Sequence, residues 1–310
     1  MKKFLPFILL LFGIYWQASA QQLPRYSQYM FNGLVINPAY AGSVDGLSGS
    51  LFYRNQWAGF DGAPKTFALS LHSPVIYPEK MGLGFYVEHD QIGKQANTAA
   101  YISYAYKIPV KEGASLALGL QAGINNYNAD WSSITSLDEN DPVFMMNDAR
   151  TVPNFGLGLY FSNEVLYAGL SIPQLINNKL NNIQKLSKQY RHYLFSAGGI
   201  IKISEPLKLR PSILLKYVPS NAPLQADLNM SFLIMDALWI GASYRNNTNV
   251  APESVVFILS YLFNNGLRIG YAYDLTTTEI SNHTSGSHEI TVGFDFRSKK
   301  KESIVTPRYF

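Results

Sequence analysis

The chain has 310 residues, of which 47% are hydrophobic, 14% aromatic and 15% charged, with a formal net charge of +4 and no cysteine. Ordinary soluble domains carry about 25% charged residues, so the composition is poor in charge and rich in rings. The missing thiols exclude disulfides, Cys-zinc sites, a Cys nucleophile and a lipoprotein anchor, and the small charge without a basic stripe excludes a nucleic-acid partner.

In chain order, Lys2 and Lys3 precede an apolar run from Phe4 to Trp16, and Ala18-Ser19-Ala20 then sets small residues ahead of Gln21. This is the layout of a cleaved secretory signal peptide over residues 1–20. The run is short for a membrane helix, which needs about 20 residues. Residues 21–47 follow as a separate segment. It mixes Tyr26, Tyr29, Phe31 and Tyr40 with Asn32, Asn37, Pro38 and Gly42. Two placements stand for it: a plug folded into the lumen of a barrel, or a periplasmic tail along its rim. The rings favour the plug, because a solvated tail has little use for them.

From 48 to 298 the pattern is period-2 alternation between turn signals. Strands are expected over Ser48–Gln56, Thr66–Ser73, Gly82–His89, Ala99–Lys107, Ser115–Gly123, Asn154–Phe161, Val165–Ser171, Tyr193–Ile203, Lys208–Tyr217, Gln225–Ile234, Leu238–Arg245, Val255–Phe263, Leu267–Asp274 and His288–Arg297. The sum is about fourteen strands, counted to within two. Most run to 8–11 residues by this reading. Tilted bilayer-spanning strands need about 9–11 residues, whereas soluble strands are usually shorter, about 5–6. The expected fold is therefore an all-β transmembrane antiparallel barrel, closed because hydrocarbon cannot satisfy a free N–H or C=O. Asn264-Asn265-Gly266 is a favoured hairpin signal. Long polar loops are expected at Ile124–Pro153 (with Asn125, Asn126 and Asn128), Ile172–His192 (with Asn177, Asn178, Asn181 and Asn182) and Leu275–Ser287. Tyr160, Tyr167, Tyr217, Tyr261 and Tyr271 are read as an interfacial girdle. Residues 299–310 are a C-terminal tail.

Chemistry is harder to find. Arg54, Gln56, Glu88 and Arg245 are candidate lumen polar residues, of a kind common in barrels. Asp138, Glu139, Asn140 and Asp141 form an acidic loop without the 12-residue spacing of an EF-hand. The five histidines show no HExxH spacing, and there is no GxSxG, GxGxxG or phosphate loop. No catalytic residue, cofactor or metal is expected.

Gln28-Tyr29-Met30-Phe31-Asn32 and Asn37-Pro38-Ala39-Tyr40-Ala41-Gly42 are followed by Tyr53-Arg54-Asn55-Gln56-Trp57 and Gly62-Ala63-Pro64-Lys65-Thr66. Later come Ala168-Gly169-Leu170-Ser171-Ile172-Pro173-Gln174-Leu175, Pro211–Tyr217, Gly270-Tyr271-Ala272-Tyr273-Asp274 and Gly286-Ser287-His288-Glu289-Ile290. As an ordered set these resemble the PorP/SprF family of Bacteroidota outer-membrane proteins, with Gln174 standing where that family often has His. The resemblance implies an integral protein of the outer membrane serving type IX secretion and gliding motility. Its implied partners are a secreted adhesin with a C-terminal sorting domain, periplasmic or outer-membrane subunits of the secretion machinery, and outer-membrane lipid. Three functions compete at this stage. They are a binding component of that machinery, a fatty-acid-transporter-like channel for hydrophobic or small solutes, and a barrel enzyme, the last disfavoured by the motif survey.

Overall fold

The computed structural model describes residues 23–75, 80–111, 113–130, 148–179, 189–219, 223–247 and 253–297. The expected signal peptide, the acidic loop at Asp138–Asp141, Asn181, Asn182 and the tail at 299–310 lie outside them.

Three one-turn 3-10 segments at Tyr29–Phe31, Gly33–Val35 and Pro38–Tyr40 precede the sheet. The strands are β1 (Gly46–Asn55), β2 (Lys65–Pro74), β3 (Met81–Ile92), β4 (Gln95–Lys111), β5 (Ala114–Ala129), β6 (Asp148–Ser162), β7 (Leu166–Ile172), β8 (Tyr193–Gly199), β9 (Ile201–Ser204), β10 (Leu207–Tyr217), β11 (Gln225–Ile234), β12 (Leu238–Asn247), β13 (Ser254–Leu262), β14 (Leu267–Thr276) and β15 (Ser287–Arg297). β8 and β9 are two halves of one strand, interrupted at Ile200, and both pair with β10. The 15 segments thus make fourteen barrel strands, as the alternation pattern indicates.

Every strand is antiparallel to its neighbours, and the sheet closes where β1 meets β15, from Gly46 opposite Arg297 to Asn55 opposite His288. Closure leaves no edge of unpaired backbone, the condition for crossing hydrocarbon. The side-chain pattern is the reverse of a soluble protein's. On β2, Phe67 and Leu71 are exposed on the outer face while Thr66, Ala68, Ser70 and His72 are buried inside. Leu118, Leu120, Ile124, Phe155, Leu157 and Leu159 extend the same outward apolar band across β5 and β6. A membrane-type barrel carries this arrangement because lipid, not the interior, receives its apolar side chains.

The two ends differ. One end has the tight turns at 163–165, 205–206, 235–237 and 263–266, and Gly266 adopts φ 87° as the Asn-Gly signal requires. The other end has the connections at 56–64, 130–147, 173–192, 218–224, 248–253 and 277–286, with one tight turn at 93–94.

Two expectations are corrected. First, Asn125, Asn126 and Asn128 are not loop residues. β4, β5 and β6 are 17, 16 and 15 residues long, and Asn125 sits opposite Val152 in the β5–β6 ladder. Antiparallel pairing continues past the apolar band. There the outward side chains become Thr98, Asn126 and Thr151, and the Asn126 amide donates to the Thr151 hydroxyl at 2.8 Å. Asn126 and Asn128 carry polarity on the outer face, and Asn125 carries it inward, where its amide donates to the Tyr101 hydroxyl at 2.7 Å. Second, Tyr160 and Tyr167 do not join the girdle. They are 5% and 6% exposed and point into the lumen, whereas Tyr217, Tyr261 and Tyr271 do face outward. Strand parity, not ring chemistry, decides the side.

Candidate functional site

The leading segment packs against inward-facing residues of the sheet. Tyr26–Asn32 and Asn37–Ser43 are buried throughout, and their partners come from strands on all sides of the wall.

The part nearest the short-turn end, Met30–Gly42, rests on glycines. A methyl group at Gly119 of β5 would stand 2.1 Å from the backbone nitrogen of Ala39, and one at Gly82 of β3 would stand 2.2 Å from the Ala41 carbonyl oxygen. On β6, a methyl at Gly158 would meet the Asn37 side-chain oxygen at 2.0 Å. Only residues without a side chain let backbone lie on backbone at this range. Asn37 fixes the turn, because its side-chain oxygen accepts from Ala39 N–H at 2.9 Å ahead of Pro38, a capping geometry. Its amide donates to the Leu159 carbonyl at 2.8 Å. Tyr40 meets Tyr160 and His72 edge to face, with centroids 5.4 and 5.2 Å apart. Phe31 packs likewise on Trp239 at 5.7 Å. Wall side chains also grip the segment's backbone. Arg210 donates to the Met30 carbonyl at 3.0 Å, Arg268 to the Phe31 carbonyl at 2.8 Å, and Lys107 to the Gly42 carbonyl.

The part nearest the long-loop end, Leu23–Gln28, is held by charge. The Glu289 carboxylate of β15 accepts the backbone N–H groups of Ser27 and Gln28 at 2.7 and 2.8 Å. Arg54 of β1 donates to Ser27 Oγ at 2.7 Å and to Asp274 at 2.8 Å, and lies 3.5 Å from Glu289. Arg245 of β12 bridges Asp227 and Asp274, each at 2.8 Å. Arg25 pairs with Glu253, and the Tyr26 hydroxyl donates to Glu88 beside Tyr86. A buried cation unpaired at this depth is heavily penalised, so these groups stand or fall together. On the opposite flank of this limb lies a cleft of about 650 Å³, bounded by Pro24, Tyr26, Tyr86, Tyr101, Leu214 and Lys216.

At the long-loop end, His192 is buried, with Nδ1 2.9 Å from the Tyr190 carbonyl. Burial pushes its imidazole down to about 4, so it is neutral.

The structure brings together Tyr29, Phe31, Asn32, Asn37, Pro38, Tyr40 and Gly42 in the lumen, along with Arg54, Glu88 and Arg245. Gln56 is apart from them. It lies past the end of β1, and its backbone N–H donates to the Pro64 carbonyl at 2.9 Å. Reading residues by type missed Asp227, Asp274, Glu289, Arg210, Arg268 and the wall glycines. Parity was the available signal: Asp274 alternates with outward Tyr271 and Leu275, and Glu289 with outward Ile290.

Among the described residues no group of three or more acidic or histidine side chains is arranged to hold a metal. The model of the family described as type IX secretion system membrane protein PorP/SprF matches residues 18–294. No curated protein matches the chain. Among solved structures, the Ralstonia pickettii toluene transporter TbuX is 9% identical, with 86% of this chain and 92% of that one covered and a TM-score of 0.53. The KdgM porin is 10% identical over 81% of this chain and 99% of its own, with a TM-score of 0.40. A mutant Rh. blastica porin is 10% identical over 82% and 100%, with a TM-score of 0.36. Identity this low speaks for the fold alone, and that likeness rests on the transporter rather than on the two porins.

Proposed function

The chain belongs to the PorP/SprF family of type IX secretion system membrane proteins, and from that premise we propose that it is a closed, non-catalytic component of the outer membrane. Its work is to assist export or surface attachment of a large adhesin with a C-terminal sorting domain, through contacts with that client and with other subunits of the machinery. The observation that carries the closed reading is the burial of Tyr26–Asn32 and Asn37–Ser43 inside the sheet, with Pro38–Gly42 backbone to backbone on the wall. A solute conduit needs an open path, and this segment stands across it.

The tight-turn end is assigned to the periplasm and the long-connection end to the cell surface, following the habit of outer-membrane barrels. Lipid then contacts the apolar band, and periplasmic subunits meet the short turns. Deleting the gene tests the role. The expected result is loss of one large adhesin from the surface proteome with growth on small solutes unchanged. A growth defect on one solute with the surface proteome intact would overturn it. Crosslinked pull-down from outer membranes should recover sorting domains or periplasmic subunits of the machinery.

A further inference from the structure

The seat of the Leu23–Gln28 limb has an unusual make-up. Three carboxylates converge on six residues of chain: Glu253 of the β12–β13 connection on a guanidinium, and from the wall Glu88 on a phenol and Glu289 on two successive backbone N–H groups. Two of these contacts are to backbone and the others to a basic residue followed by tyrosine, while Arg54 donates to Ser27 Oγ at 2.7 Å and Thr291 to the Gln28 side-chain oxygen at 3.0 Å. Exposure falls along the limb, from half-buried at Leu23, Pro24 and Arg25 to buried from Tyr26 onward. Its leading end therefore lies at the long-loop mouth, where Glu253 closes the β12–β13 connection. The cleft beside it leaves the limb room to swing without displacing the wall. Ala39–Gly42 has no such room, because the backbone of Gly119 and Gly82 stands directly beneath it.

We propose that this seat is an exchangeable peptide site, reached from the cell-surface mouth. It takes an extended segment bearing a basic residue followed by tyrosine, and the chain's own limb is its resident occupant. The orientation rests on the functional reading above, and the chemistry of the seat does not. A partner presenting the same Arg–Tyr pair would displace Leu23–Gln28 while Met30–Gly42 stays seated. The device answers to a surface-side partner and not to a periplasmic one.

The absence of cysteine in the chain makes the test clean. Full-length Ser27→Cys and Ala39→Cys proteins, each also carrying Tyr26→Ala to weaken the resident limb, are reconstituted in vesicles with known orientation. The probe is a free hexapeptide of the Leu23–Gln28 sequence. With peptide on the long-loop side, Ser27→Cys should react with maleimide at least about tenfold faster, the loss of one charge-assisted contact being worth that much. Ala39→Cys should stay inert. A peptide with glutamate in place of the arginine should have no effect, and neither should the native peptide on a Glu289→Gln protein. Unchanged Ser27→Cys reactivity would overturn the proposal, as would Ala39→Cys rising in step with it or an equal response from the short-turn side. Labelling reports limb exchange whether or not the barrel conducts, so its failure is separable from failure of the closed reading.

Discussion

The two halves of the lumen hold the same segment by different physics. Toward the short turns, close backbone contact dominates: Gly82, Gly119 and Gly158 receive Ala41, Ala39 and Asn37 at distances that no side chain allows, with Arg210, Arg268 and Lys107 donating to carbonyls beside them. Toward the long loops it is electrostatic: Arg54, Arg245, Asp227, Asp274 and Glu289 balance one another around Ser27 and Gln28. Close packing is set by the shapes of the groups in contact. A buried charge network depends on every member being present and correctly protonated. The comparison teaches that one segment can be anchored at one end and conditional at the other.

The largest effect should come from breaking the network. Arg54→Met leaves Asp274 with Arg245 alone and Glu289 with no cation beside its two backbone donors, and should lower unfolding stability by about 3–5 kcal/mol, read from urea unfolding in lipid. It should leave Ala39→Cys unreactive. Loss of protection at both limbs together would erase the distinction between them. Next, Gly119→Val drives a branched side chain into Ala39, and should lower stability by about 3 kcal/mol or exclude the inner limb from its bed. Gly119→Val with Ala39→Cys still protected would refute the steric account.

Acid bears on the long-loop end through one imidazole. His192 at the long-loop end has its imidazole held at about 4, against 6.5 for the unperturbed group. Between those values the unfolded chain binds the proton and the folded chain does not, so stability falls as pH drops from 6.5 toward 4. Going from pH 7 to 5 should remove about 2 kcal/mol through this group, and His192→Gln should abolish that share. An unchanged pH profile in the variant would show that the imidazole is not shielded as described.

The fold was legible because strand parity and turn chemistry are local: each stretch announces its period, and turns such as Asn264-Asn265-Gly266 or Glu205-Pro206 announce a break between strands. The fourteen strands follow from that. Barrel closure did not follow from any one strand, but from the rule that no spanning edge can go unpaired. The lumen site was half legible. Arg54, Glu88 and Arg245 stood out as charges within apolar alternation, but their partners lie far away in sequence, Asp274 and Glu289 among them. Register across the β1–β15 closure is needed to bring them together. The wall glycines were silent for a similar reason. A glycine in a strand signals close approach of something, and only the fold reveals that Ala39 or Asn37 is what approaches. The reading of Tyr160 and Tyr167 as girdle residues failed because ring type was used where parity should have ruled.

The smallest effect marks the boundary of the account. Asn126 faces outward on the polar extension of β5 and belongs to neither half of the lumen. Asn126→Ala should change stability by less than about 0.5 kcal/mol; a larger loss would mean that the extension supports the barrel below it.

Conductance tests the central claim most directly. In planar bilayers, the full-length protein should show no sustained porin-sized current, and a variant lacking residues 23–42 should conduct steadily. Equal steady conductance from both proteins would contradict the claim that the segment closes the lumen.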